Sequence, residues 1–394
     1  MTRFEKMIEN NELLAIIKDW SFWGGEVQPK AIPRDINLPS SLAPDLAFII
    51  QGVRRGGKST LLSQMPLIYG LDKEQCYYCN FEDPRLMEYL DFKLLDSIIN
   101  LAKQRSGEQQ QYFFFDEIQN VQGWEKWLHS QLERSKNRHF VITGSNSFLL
   151  SGEYASALTG RHITFELYPF SFLEYQKLFP AGDLVSYLQQ GGFPRALQFD
   201  KPKMLLQEYF NDIILRDVQK RVRARNVESI KHVAKMAFDS CGSELSYRKI
   251  AAAAGVSTDT AKLYLEACEQ AYLLFSCEYF SFSEKKRLLR NKKYYPIDTG
   301  LRAAVSTSAG RDLGKNLEQL VFLTLKQRYE KVYYWHEQGE VDFVVFDDQK
   351  IIPYQVTWEE QQERHHKALR LFYETFPQAE EAVFINKNNI LHYV

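Results

Sequence analysis

The first part of the chain alternates short apolar runs with stretches of helical periodicity. Leu46 to Ile50 form one such run, followed by a glycine-rich segment and then by Leu61 and Leu62, which open a helical pattern. "QCYYCNF", "YFFFDE" and "HFVITGS" follow, with helical patterns between them. Within "YFFFDE", Tyr112 to Phe115 are uninterrupted by polar residues, as in a strand buried on both faces, and the alternation with helices predicts a parallel α/β sheet. Beyond about Pro180 the texture becomes helical. The stretch before the first run carries Pro29, Pro33, Pro39 and Pro44 and reads as an irregular lead.

The glycine-rich segment after the first run is "GVRRGGKST", residues 52–60. Gly52, four residues, then Gly57-Lys58-Ser59 is the spacing of a P-loop, whose backbone N–H groups curve around nucleotide phosphates. Glycines such as Gly52, Gly56 and Gly57 permit that approach because they carry no Cβ. Lys58 is expected to neutralise the β and γ phosphates and Ser59 to ligate Mg²⁺. Thr60 is expected to begin the helix, whose positive end faces the anion. "QYFFFDEIQ" supplies the second half of the pattern. Asp116 ends a buried strand, where open α/β sheets bind ligands, and is expected to hold Mg²⁺ beside Ser59; Glu117 is expected to polarise the attacking water. ATP and Mg²⁺ are the cofactors this implies.

Length and charge narrow the setting. A chain of 394 residues suggests two or three domains. Apolar residues make up 45% and charged residues 25%, with a formal net charge of −1, which argues against a protein that coats nucleic acid over its whole surface. No stretch approaches the roughly 20 apolar residues of a membrane span, and the first residues lack the apolar core of a signal peptide, so the expected location is the cytoplasm without membrane partners. Five cysteines fit reduced thiols. Alternation in "QCYYCNF" places Cys76 and Cys79 on opposite faces of a strand, as packing residues rather than a metal or redox pair.

With "TGSN", "LTGR", "YPFSFLEY", "QQGGFPRAL" and "GEVDFVV" added to the P-loop and acidic strand, nearly the whole chain resembles prokaryotic AAA-type ATPases with a C-terminal domain of unknown function, relatives of the archaeal STAND-type ATPases. The resemblance implies a γ-phosphate sensor at Ser145 or Asn146 and a catalytic arginine at Arg161, in cis or from a neighbouring subunit. It also implies that Pro194 of "GGFP" packs against adenine, and that Arg54 touches phosphate or anchors the loop.

Two further modules follow. "LSYRKIAAAAGVSTDTAKLYLEACEQAYLL", residues 245–274, has helix, Gly255 turn and a helix capped by Ser257, the spacing of a helix-turn-helix, for which a winged helix is the expected form. Its second helix carries more acid than base, poor for a phosphate-lined groove. Lys285, Lys286, Arg287, Arg290, Lys292 and Lys293 cluster between two aromatic runs as the tip of a basic hairpin, either a grip on a nucleic-acid backbone or a solvated surface. Residues 314–357 resemble a PD-(D/E)XK nuclease fold, with Glu318 and Asp342 in place. Gln355 and Thr357 replace the second carboxylate and the lysine, so the resemblance implies the fold without the chemistry.

The expected architecture is α/β. A lead (1–40) precedes a P-loop AAA-type ATPase core with a parallel sheet (41–180). A helical lid or linker (181–235), a winged helix-turn-helix (236–300) and a nuclease-like α/β C-terminal domain (301–394) follow. The expected function is an ATP-hydrolysing switch or motor acting on a protein or nucleic-acid partner, compatible with a homo-oligomer. The alternatives are a DNA-binding module in which ATP only orders the structure, and an active nuclease, which would need ligands the pattern lacks.

Overall fold

A computed structural model describes residues 7–21, 31–134, 136–144, 158–224, 226–306 and 312–393. The chain divides into two compact units, Met1–Leu167 and Tyr168–Val394.

The first unit is built on a five-stranded sheet: β1 (Ala47–Gln51), β2 (Cys76–Asn80), β3 (Gln111–Asp116), β4 (Arg138–Gly144) and β5 (His162–Glu166). They lie in the order β2-β3-β4-β1-β5, and every pairing is parallel. Parallel strands need crossovers, and among the described residues four helices flank the strands in sequence: α1 (Asn10–Trp20), α2 (Lys58–Ile68), α3 (Phe92–Ser106) and α4 (Trp124–Arg134). Because side chains alternate along a strand, each apolar run feeds two cores. Tyr77, Cys79, Phe113, Phe115 and Phe140 pack with Leu94 and Leu95 of α3 and Trp124 and Trp127 of α4. Phe48, Ile50, Cys76, Phe114 and Val141 pack on the other face with Leu61, Leu62 and Met65 of α2. Phe113 and Phe114 are completely buried, and each such burial contributes about 1.5–3 kcal/mol. Cys76 and Cys79 fall in different cores, as their spacing requires, and burial pushes both thiols up. All five cysteines are free and buried.

The second unit begins with helices: α5 (Phe172–Leu178), α6 (Leu184–Gln190), α7 (Pro202–Ile213), α8 (Val227–Asp239), α9 (Tyr247–Ala254) and α10 (Thr258–Gln270). Gly255 at φ 66° ends α9, and the Ser257 side chain caps α10 by accepting from the Thr260 N–H at 3.1 Å. A six-stranded sheet follows: β6 (Leu274–Tyr279), β7 (Lys293–Pro296), β8 (Val332–His336), β9 (Glu340–Asp347), β10 (Lys350–Val356) and β11 (Val383–Ile385). Its order is β11-β10-β9-β8-β6-β7. β6 pairs antiparallel with β7 and parallel with β8, so the strands after the helix-turn-helix belong to the same sheet as the C-terminal segment. Helices α11 (Glu284–Leu289), α12 (Thr299–Val305), α13 (Leu313–Arg328) and α14 (Glu363–Thr375) connect or follow these strands.

Candidate nucleotide site

The site lies at the carboxyl end of the first sheet. β1 ends at Gln51 and the chain turns through Gly52, Gly56 and Gly57 into α2, which begins at Lys58, two residues before the expected Thr60. Gly52 has φ 150°, and a Cβ there would stand 2.1 Å from the Leu167 carbonyl oxygen. Only glycine fits that contact. Gly57 caps α2 at φ 102°. Lys58 is buried, and its Nζ donates to the Gly52 and Val53 carbonyls at 2.9 and 3.0 Å. The ammonium is thus held inside the loop. Arg34, from the lead segment, donates to the Gly56 carbonyl at 3.0 Å. Arg54 pairs with Glu82 at 3.2 Å and so anchors the loop to the segment after β2.

Asp116 ends β3 and is 1% exposed. Its Oδ1 accepts from the Thr143 hydroxyl and its Oδ2 from the Tyr78 hydroxyl, the latter at 2.8 Å. Burial pushes the Asp116 carboxyl up, opposed by the hydroxyls of Ser59, Thr143 and Tyr78. The structure therefore brings Ser59 and Asp116 together. The Thr143 Oγ1 also accepts from the Glu117 N–H at 3.1 Å. Glu117 sits at φ 56°, a left-handed conformation that a residue with a Cβ adopts at some cost, and its carboxylate accepts from Gln119.

Tyr78 and Thr143 escaped the sequence reading. Both lie in strands recognisable from their apolar runs, but their contacts depend on register. Tyr78 stands opposite Phe114 and Phe114 opposite Val141, so the ends of β2, β3 and β4 converge on Asp116. Ser145 and Asn146 lie outside the described residues.

Arg161 lies away from this cluster. Its carbonyl accepts from the Ala47 N–H at 2.9 Å, and His162 pairs with Ala47, so Arg161 is at the amino end of the sheet. Ala47 to Gln51 spans about 13 Å at a strand's rise per residue. Arg161 points to Glu133 of α4, at 3.3 Å. Arg161 thus stands at the opposite end of β1 from this protomer's P-loop.

"GGFP" belongs to the second unit, where its glycines have a packing explanation. The Gly192 N–H donates to Asp298 Oδ2 at 2.6 Å, and a Cβ on Gly191 would lie 2.2 Å from the same carboxylate. Burial pushes Asp298 up to about 6 despite donors from Gly192, Leu301 and Gly300.

The basic cluster spans the connection between the antiparallel strands β6 and β7. It is the short helix α11 and its C-terminal flank, and most of its charge is compensated. Lys286 and Arg290 pair with Glu337 at 2.9 and 2.7 Å, Lys292 pairs with Glu278 at 2.8 Å, and Lys293 is buried against Glu340. Arg287 donates to the Ser281 carbonyl. Among the described residues, Lys285 and Arg287 are the tip cations without an acidic partner.

The other sequence-singled residues converge in a cleft of about 1140 Å³ in the second unit, lined by Glu318, Glu340, Asp342, Gln355 and Thr357 among others. Its acids are already satisfied. Glu318 accepts from Tyr295 at 2.8 Å and pairs with Lys315 at 3.1 Å; Asp342 accepts from Gln355 Nε2 and the Val356 N–H, both at 2.7 Å. Burial works against the Lys293 ammonium, but Glu318, Glu340 and Asp342 raise it above its ordinary value. Among the described residues no group of three or more His, Cys, Asp or Glu is placed to hold a metal ion.

A family described as AAA domain matches residues 45–176; domains of unknown function, DUF8612 and DUF4143, match 181–312 and 313–393. An uncharacterized protein of Haemophilus influenzae is 32% identical over 340 residues, covering 82% of this chain and 84% of that protein. An uncharacterized protein of Methanocaldococcus jannaschii is 34% identical over 349 residues, covering 82% and 76%. The crystal structure of Cdc6p from Pyrobaculum aerophilum is 12% identical, covering 66% of this chain and 79% of that one at a TM-score of 0.28, too distant a likeness to carry an argument. The chain belongs to the family of the Haemophilus and Methanocaldococcus proteins, and its P-loop and acidic strand lie within an AAA domain.

Proposed function

We propose that the protein is a cytoplasmic, Mg²⁺-dependent ATPase whose nucleotide state works as a switch or motor on a partner through the second unit. One observation carries the reading: the glycine-lined loop holding Lys58 and the buried Asp116 carboxylate lie at the carboxyl ends of β1 and β3, with the Ser59 hydroxyl beside Asp116. Gly52 lets the loop leave β1 against the Leu167 carbonyl, where a Cβ would stand 2.1 Å from that oxygen. The Ser59 hydroxyl and Asp116 oxygens are the hard donors Mg²⁺ prefers. When bound, Mg²⁺ neutralises charge on the β and γ phosphates.

The protein's own groups divide the rest of the work. Lys58 and the first-turn N–H groups of α2 bind the phosphates. Glu117 orients the attacking water and accepts its proton. Ser145 or Asn146 senses the γ phosphate, and Arg161 acts on a neighbouring copy. In the second unit, α9 and α10 with the β6–β7 hairpin form a winged helix, and the C-terminal segment is a nuclease-like fold without cutting activity. The test is ATP turnover by the purified protein with Mg²⁺, with and without DNA. Turnover that depends on Mg²⁺ supports the proposal; nucleotide binding without turnover under either condition refutes it in favour of ATP as an ordering ligand.

Two outcomes concern the second unit. The purified protein is expected not to cleave nucleic acid in Mg²⁺ or Mn²⁺, because Lys315 and Lys293 already neutralise Glu318 and Glu340 and Thr357 brings no ammonium. Cleavage lost in Asp342→Ala but kept in Lys58→Ala would refute this. If nucleic acid binds at α11, Lys285→Ala combined with Arg287→Ala is expected to lower the salt slope of binding by about 2, with little change in sequence preference. An unaltered slope would move the contact elsewhere.

A further inference from the structure

We infer that Tyr78 is a positioning residue for Mg²⁺: its hydroxyl fixes the Asp116 carboxylate in the orientation that receives the ion. The inference rests on the ATPase reading above and adds a residue from the edge strand β2, which no phosphate-loop or acidic-strand pattern includes.

The geometry is specific. Tyr78 is 4% exposed, and its hydroxyl donates to Asp116 Oδ2 at 2.8 Å while the Thr143 hydroxyl holds Oδ1. The Ser59 hydroxyl interacts with both the Tyr78 hydroxyl and the Asp116 carboxyl. A carboxylate offers about four lone-pair positions, so these three hydroxyls leave acceptor capacity for the ion's shell while removing rotational freedom about the carboxyl bond. Donors to an ionised group are the stronger hydrogen bonds, and in a buried site they preorganise the ligand before the ion arrives.

Tyr78 is itself held from α1. The Ser21 hydroxyl accepts from the Tyr78 N–H at 3.1 Å and donates to its carbonyl at 3.4 Å, bridging the free edge of β2. The Trp20 ring stacks on the Tyr78 ring, with centroids 6.2 Å apart and planes inclined by 19°. Trp20 Nε1 donates to Asp83 at 2.8 Å, which fixes the indole in turn. The end of the N-terminal helix therefore sets the phenol that sets the carboxylate.

The experiment measures affinity for a fluorescent ATP analogue in EDTA and through a Mg²⁺ titration, for the whole chain and for Tyr78→Phe, which keeps the ring and removes the hydroxyl. Affinity in EDTA is expected to stay within about twofold. The Mg²⁺ concentration giving half of the metal-dependent tightening is expected to rise about ten- to a hundredfold, the loss of one hydrogen bond to a charged metal ligand. Trp20→Ala, which leaves every site residue intact, is expected to shift the midpoint in the same direction by a smaller factor and serves if Tyr78→Phe does not fold. An unchanged Mg²⁺ midpoint in Tyr78→Phe, even with a lowered melting temperature, would reduce Tyr78 to packing, and a lowered midpoint would show that the hydroxyl obstructs the ion. Either overturns the inference while the parent protein's Mg²⁺ dependence leaves the ATPase reading standing. A parent protein that binds no nucleotide would overturn that reading and this inference with it.

Discussion

Lys58→Ala is expected to abolish nucleotide binding, whereas Glu117→Gln keeps binding and loses turnover by about 10²–10⁴-fold, the usual worth of a positioned proton acceptor. The two groups act on different quantities. Lys58 is a buried cation inside the loop, so its removal takes charge away from the phosphates in the ground state as well as in the transition state. Glu117 lies beyond the strand end and its amide is isosteric with the carboxylate, so the substitution preserves shape and removes only the ability to accept a proton. Calorimetric or fluorescence binding alongside single-turnover hydrolysis separates the two. Melting temperature is a necessary control, because the Lys58 ammonium also ties the loop through the Gly52 and Val53 carbonyls. Equal loss of binding in both variants would refute the division of roles.

How much of this could be read before the structure depends on how local each signal is. The P-loop spacing and the acid-ended strand are written in consecutive residues, and β1, β3 and the start of α2 fall on those segments. The opposite-face placement of Cys76 and Cys79 follows from strand alternation alone and holds. The helices either side of Gly255 were legible because a left-handed glycine and a Ser cap are local devices. Tyr78 and Thr143 were not, since their meeting at Asp116 requires three strands in a particular register. The compensation of the basic tip was hidden for the same reason: Glu337 lies far along the chain from Lys286 and Arg290, and only the pairing of β6 with β8 brings its neighbourhood close. A run of cations reports charge; its partners report whether that charge is available. That β6 and β7 join the sheet of the C-terminal segment is likewise a property of pairing, because in sequence they read the same whether they end one domain or open the next sheet.

Arg161→Ala is expected to lower turnover by about 10³-fold or more while changing ATP affinity by less than about threefold, the pattern of an arginine that acts on charge developing at the γ phosphate. The placement of Arg161 determines where that action occurs. The amino end of β5 is separated from its own loop by the length of β1, beyond the reach of an arginine side chain, and Glu133 holds the guanidinium in an exposed ion pair. An exposed pair of this kind contributes little to stability, so the variant should remain folded. A function for Arg161 in hydrolysis therefore needs a second copy whose P-loop it approaches, and that requirement is testable without knowing the assembly. Mixing Arg161→Ala with Lys58→Ala, each inactive alone, is expected to restore part of the turnover, because a mixed interface joins an intact loop from one subunit to an intact arginine from the other. The same mixture should show turnover rising with total protein concentration, as it must when the complete site forms only on association. Undiminished turnover in Arg161→Ala would assign the residue to the Glu133 pair alone, and a variant mixture that stays inactive while the parent protein turns over as a monomer would refute completion of the site by a second copy.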